Sequence, residues 1–194
     1  MGLSMVSGHA AARQPGPMDT LSKNLDAVMA VLEDARFKDV ADKNLQRQKI
    51  ITAAESVFDF VEITKRALAR NWKLFTPHER EVFAGLFAVL LKEVYGSKIQ
   101  SSYNGQRVVL IGQEMVTARR ALVKTKLVSR NGDLPVVYSM RWHNRAWKVY
   151  DVRIQGVSLV QNYRSQFNSY LLNRKPVDLI AQLRKKVVQY GGGR

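Results

Sequence analysis

The chain predicts an α+β fold: a four-stranded antiparallel sheet with helices packed on one of its faces. Apolar residues recur at helical spacing through about 19–95 and again through 158–190, and between those blocks the pattern changes to strand-like alternation. Short turn signals separate the strands, which favours a meander over crossover connections.

The elements follow in order. Pro17, Asp19 and Thr20 open a helix whose apolar stripe is Leu21, Leu25, Val28 and Leu32. A second helical stretch covers about 42–60 through Leu45, Ile50, Ala54, Val57 and Phe58, and after a break continues through Val61, Leu68 and Trp72. Thr76, Pro77 and Glu79 supply an N-cap, a proline at the first helical position and a capping-box partner, so a helix starts there. It carries Val82, Phe83, Leu86, Phe87, Val89, Leu90, Leu91, Val94 and Tyr95, and Gly96 is expected to end it. That apolar arc is wider than a surface helix needs.

After Gly105, strands are expected over 107–111, 114–129, 134–142 and 146–155. Asn131, Gly132 and Asp133 suit a hairpin because Asn and Gly tolerate positive φ, and His143, Asn144 and Arg145 form a second short connection. In strand 134–142, Leu134, Val136, Tyr138, Met140 and Trp142 alternate with Val137, Ser139 and Arg141, so one face is buried. In the last strand, Tyr150, Val152 and Ile154 read as one face and Trp147 and Val149 as the other. Helices over 158–171 and 177–190 complete the chain, with Ser158 as the cap of the first. One domain spans 18–190, between a disordered segment 1–17 and a flexible tail 191–194.

The net charge of +15 is uneven. Residues 1–118 hold 15 Lys and Arg against 13 Asp and Glu, whereas 119–194 hold 16 against 3. Such a field draws anionic partners, whether nucleic acid, lipid headgroups or acidic protein faces. With no cysteine there are no disulfides, thiolate metal sites or thiol nucleophiles. No apolar run reaches the ~18 residues that a membrane span needs. Residues 1–17 lack the basic start and apolar stretch of a secretion signal, yet Ala10 and Ala12 form a small-residue cleavage pattern, so a clipped signal remnant or added residues are expected there.

The three histidines, His9, His78 and His143, have no metal-binding spacing. The run from Gly156 to Val160 lacks the second glycine of a nucleophile elbow. No glycine-rich loop joins a strand to a helix as a nucleotide phosphate cradle does. Asp151 lies in an apolar strand, where a carboxylate either acts as a base of raised pKa or accepts structural hydrogen bonds, and the structural role is the expectation.

The block 147–167 combines Trp147, Tyr150, Asp151, Gly156, Val157, Ser158, Leu159, Tyr163, Arg164 and Phe167, a strand, a glycine and an amphipathic helix. Together with TKRALARNWKLFTPHEREVF at 64–83 and the Tyr95 region, it resembles the MlaC family, also called the Ttg2 or toluene-tolerance family, across roughly 20–190. The resemblance implies a cone-like architecture, similar to the nuclear-transport-factor fold with additional helices, enclosing an apolar cavity between the sheet and the helix over 77–95. It implies a soluble periplasmic carrier rather than an enzyme, with no cofactor and a bound phospholipid as cargo. The implied partners are an outer-membrane lipoprotein-porin complex and an inner-membrane ABC transporter with an MCE-domain protein. The resemblance further implies transient contacts with those complexes, a monomeric carrier and no nucleic-acid partner.

Two acyl chains hold on the order of 30 methylenes, and at ~0.8 kcal/mol each their exposure to water costs roughly 25 kcal/mol. A carrier must therefore offer an apolar interior, with cations at its rim because burying an unpaired phosphate is costly. Stripes and alternation nominate Val61, Leu68, Trp72, Phe83, Phe87, Leu90, Leu91, Tyr95, Val136, Tyr138, Met140, Val152, Ile154, Tyr163 and Phe167 for the tails. Arg141, Arg153 and Arg164 are nominated for the headgroup rim, and Gly96, Gly105 and Gly156 as hinges. An enzyme of the same cone-like class using Asp151 as general base, or a basic nucleic-acid-binding module, remains open from residues alone.

Overall fold

Local signals start the first and fourth helices where the sequence places them. The computed structural model describes residues 14–37, 39–130 and 132–191. The expected tail over 1–17 falls largely outside these, as do Asn131 and residues 192–194, while Gly191 closes the last helix. Helix α1 (Pro17–Glu33) begins on its proline, with the Asp19 carboxylate accepting from the Gly16 N–H at 3.1 Å. Helix α4 (Pro77–Ser102) begins on the capping box: Thr76 Oγ1 accepts from Glu79 N at 3.2 Å and Glu79 Oε2 accepts from Thr76 N at 2.8 Å.

The expected helix over 42–60 is divided into α2 (Lys43–Glu55) and α3 (Phe60–Leu68). Between them the chain runs extended along the strand that contains Val149: Asp59 N–H donates to Val149 O at 2.9 Å and Val149 N–H to Val57 O at 2.8 Å. Asp59 then caps α3, its Oδ1 accepting from Glu62 N at 3.0 Å. Leu45, assigned to the buried stripe of this stretch, is exposed.

Gly96 does not end α4, which continues to Ser102. Glycine is required there by close approach, since a Cβ would lie 2.7 Å from Ile51 Cγ1 of α2. The hinge expected at Gly96 is thus a buried helix–helix contact. The wide apolar arc of α4 is explained by its packing on α6 (Pro176–Gly191), α2 and α3.

The sheet is a meander of β1 (Arg107–Thr117), β2 (Arg120–Ser129), β3 (Gly132–His143), β4 (Ala146–Ile154) and β5 (Val157–Ser158), antiparallel throughout and in chain order. Four long strands match the expected meander, and the two-residue β5 makes the count five. The expected strand over 114–129 contains a tight turn at 118–119, where no glycine, proline or asparagine announces it. Asn144 and Arg145, at φ 48° and 61°, make the two-residue connection from β3 to β4. After β5, helix α5 (Leu159–Leu171) is capped by Ser158, whose Oγ accepts from Gln161 N at 3.0 Å.

The alternation expected in β3 holds at Val136 and Met140 but fails at Ser139, which is buried opposite the buried Asp151, and the two-face reading of β4 is corrected by a β-bulge. Ser139 pairs with Asp151 and Met140 with Val149, which leaves Tyr150 as the extra residue. The bulge resets the register, so Trp147, Val149 and Val152 join one core with Met140, Ala121, Val123 and Leu21 of α1. A second core lies among the helices and contains Leu68, Phe75, Phe83, Phe87, Leu90, Leu91, Phe167 and Leu183. Phe58 packs against both.

Ala69 ends α3 at φ 48°, ψ −121°, a backbone region that L-residues avoid. Strain of this kind costs about 1–3 kcal/mol, and glycine relieves it while adding up to ~1 kcal/mol of chain entropy to lose. Ala69→Gly is expected to stabilise the protein by about 1 kcal/mol, read as a higher Tm in thermal unfolding; an unchanged or lower Tm contradicts the strain assignment.

Candidate functional site

The nominated tail residues separate into two groups that belong to different cores. Leu68, Phe83, Phe87, Leu90, Leu91 and Phe167 are buried in the helical core, where Phe83 meets Phe167 edge-on at 5.3 Å and Phe87 meets Tyr163 at 4.8 Å. Val136 and Met140 are buried on β3, and Met140 belongs to the sheet core. Helix α4 packs chiefly on α6, α2 and α3, which take up its apolar arc. Val61 and Ile154 are 60% and 41% exposed and belong to neither core.

Five nominated residues keep partial exposure beside the cores: Trp72, Tyr95 and Tyr163 on the helical side, Tyr138 and Val152 on the sheet side. Phe58 stands at the junction, with Phe60 at 5.9 Å. Neither Phe58 nor Phe60 was singled out from the sequence for the tails. Their signal is the FDF triplet, which places aromatic side chains on both sides of Asp59 at a helix break.

The tyrosines add polarity without charge. Burial pushes the Tyr138 phenol up to about 12, with a hydrogen bond to Thr125 acting in the opposite direction. Burial also raises Tyr163 far above the ordinary phenol range, reinforced by Tyr95 and Tyr190. Tyr95 is raised by its own burial against the hydrogen bond to Tyr163. All three phenols are neutral at physiological pH, so they offer hydrogen bonds with no charge to desolvate.

The three arginines nominated for the rim differ in their freedom. Arg141 is held by Asp59 at 2.7 Å and Glu62 at 3.0 Å, which leaves its charge matched. This pairing was invisible in the sequence because both acids lie about 80 residues upstream. Arg153 lies 3.8 Å from Asp151 and is loosely placed. Arg164 donates through Nε to the Arg66 carbonyl at 3.0 Å and has no acidic partner among the described residues.

Asp151 is buried and its oxygens are occupied. Ser158 Oγ donates to Oδ2 at 2.7 Å and Val160 N–H donates to Oδ1 at 3.1 Å, so the carboxylate joins the end of β4 to the start of α5. An anion at a helix N-terminus is favourably placed, which explains the acid structurally. No three His, Asp or Glu side chains among the described residues gather as a metal site. No described helix is long and apolar enough to cross a membrane.

These features define an α+β domain of helices over a curved antiparallel meander, with an apolar interior divided in two. The chain belongs to the MlaC family, whose profile, described as MlaC protein, matches residues 22–185. It is 20% identical over 185 residues, 92% of this chain and 86% of the relative, to the intermembrane phospholipid transport system binding protein MlaC of Haemophilus influenzae. A shorter match, 29% over 93 residues, covers 47% of this chain and 43% of the toluene tolerance protein ttg2D of Pseudomonas putida. The fold is shared with a phospholipid-binding protein of Ralstonia solanacearum solved in complex with a phospholipid, at a TM-score of 0.77 and 21% identity over 91% of this chain and 99% of that one.

Replacing Asp151 by Asn removes one of the two acceptors and the negative charge at the helix end. Asp151→Asn is expected to lower stability by about 1–2 kcal/mol in urea unfolding. An unchanged midpoint contradicts the structural assignment.

Proposed function

We propose that this chain is a periplasmic phospholipid carrier that is not an enzyme. It holds acyl chains in an apolar space opened between its two cores, and shuttles the lipid between outer- and inner-membrane complexes. The observation that carries this reading is the family match over residues 22–185, supported by relatives named for phospholipid binding and transport. The divided interior supplies a physical means: tails part the seam at Phe58 and lie against Tyr95, Tyr138, Val152 and Tyr163. The deeper residues Leu68, Phe83, Phe87, Leu90, Leu91, Val136, Met140 and Phe167 form the walls behind them.

The cargo needs no cofactor, and its partners are an outer-membrane lipoprotein-porin complex and an inner-membrane ABC transporter with an MCE-domain protein. The energy for directional transfer comes from the transporter, because the chain itself has no phosphate-cradling loop. The carrier acts as a monomer and has no nucleic-acid partner.

Solvent extraction and mass spectrometry of protein purified without detergent test cargo binding. Phospholipid is expected in molar proportion to the protein; a phospholipid yield equal to that of a mock purification contradicts the carrier reading.

The absence of cysteine allows paired spin labels without background sites. Labels at Val89→Cys on α4 and Arg120→Cys on β2 are expected to move apart when the lipid-stripped protein is reloaded with phospholipid. Identical distance distributions in the two states contradict an opening seam.

A further inference from the structure

A groove of about 410 Å³ lies beside α3, the 3₁₀ turn Ala69–Leu74 and α5, outside both cores. Its lining is unusually cationic: Lys65, Arg66, Lys73 and Arg164 against the single acid Glu62. Glu62 is already engaged by Arg66 at 2.8 Å and by Arg141 at 3.0 Å. Lys65, Lys73 and Arg164 therefore have no acidic partner among the described residues. Three like charges gathered around one concavity repel one another, a cost that an anion in the groove removes.

The groove is also arranged to receive one. The bond from Arg164 Nε to the Arg66 carbonyl fixes the guanidinium while leaving both terminal nitrogens available for paired hydrogen bonds. Trp72 adds a flat apolar wall, held by Arg80, which donates to the Trp72 carbonyl at 3.0 Å and places its guanidinium 5.1 Å from the ring centroid. A fixed fork, two mobile ammonium groups and a flat wall suit a compact oxyanion attached to a small organic group.

We propose that this groove is a binding site for a phosphate ester, recognised by Lys65, Lys73 and Arg164 with Trp72 packing against the ester's carbon skeleton. The ester is either the headgroup of a membrane or cargo lipid or a free small molecule. The site rests on its own residues and does not depend on acyl chains entering the seam, so the two readings fail separately.

The test titrates sn-glycerol 3-phosphate, which has no tails, into the full chain at fixed ionic strength while following the Trp72 indole N–H by NMR. Vesicles of phosphatidylcholine with and without phosphatidylglycerol provide the second probe, read by co-sedimentation. Lys65→Gln/Lys73→Gln and Arg164→Gln change exposed side chains. Arg120→Gln on the sheet controls for loss of general charge. A saturable shift weakened about five-fold or more by the groove variants, and less than about two-fold by the control, supports a site for the free ester. Groove-dependent vesicle binding without a response to the soluble ester supports the headgroup as the source. Equal losses in groove and control variants with both probes overturn the proposal, as does a Trp72 shift saturating at lower concentrations of tetraglutamate than of the ester. Phospholipid recovered from the same variants reports separately on the seam.

Discussion

The short extended segment at 57–59 is the contact on which the rest of the architecture depends. It pairs with Val149 through two backbone hydrogen bonds, covering β4 where β5 does not reach. An uncovered strand edge leaves backbone groups unsatisfied and invites pairing with other chains, so this cover is needed. The same three residues follow the end of α2 at Glu55, bring Phe58 between the two cores and place Asp59 to cap α3. Asp59 Oδ2 then holds Arg141 of β3 at 2.7 Å. One segment thereby fixes the positions of a helix start, a strand edge and a sheet arginine together.

Electrostatics follow from that junction. Asp59 and Glu62 neutralise Arg141 and Arg66, and Arg66 also lies 4.0 Å from the Tyr150 ring centroid. Two acids of the first half, Asp59 and Glu62, are thus used at a basic residue of the sheet, Arg141. What remains is cationic surface with few acids to match it, as the excess of 16 Lys and Arg over 3 Asp and Glu in residues 119–194 requires. Exposed charges of this kind add little stability, and their value lies in attracting anionic partners.

Much of the fold was legible because its signals are local. The Thr76 capping box and the Ser158 cap each act within a few residues, and each appears where the pattern places it. The failures are non-local. Gly96 looks like a helix end in one dimension, but only Ile51 of a neighbouring helix explains why a side chain is excluded. The extra residue Tyr150 reverses the apparent faces of β4, and nothing in the alternation of a single strand reveals a bulge that depends on its partner. Arg141 read as a free cation because its acids arrive from a distant helix. The division of the tail residues into two cores has the same origin: periodicity identifies which side chains are buried, but not which buried groups meet.

Under the carrier reading, that division has an energetic consequence. A permanently hollow interior forfeits dispersion contacts along its whole lining, whereas two closely packed cores retain them until cargo arrives. Opening the seam then separates apolar faces, and the tails replace the contacts that are lost, so lipid stabilises the open form by its differential affinity alone. The buried phenols of Tyr95, Tyr138 and Tyr163 suit both forms, because they carry no charge that opening or closing must desolvate. The same balance limits how tightly cargo is held: every apolar contact made with the tails is partly offset by one given up between the cores. A carrier built this way retains lipid against water yet releases it to a partner that stabilises the closed seam.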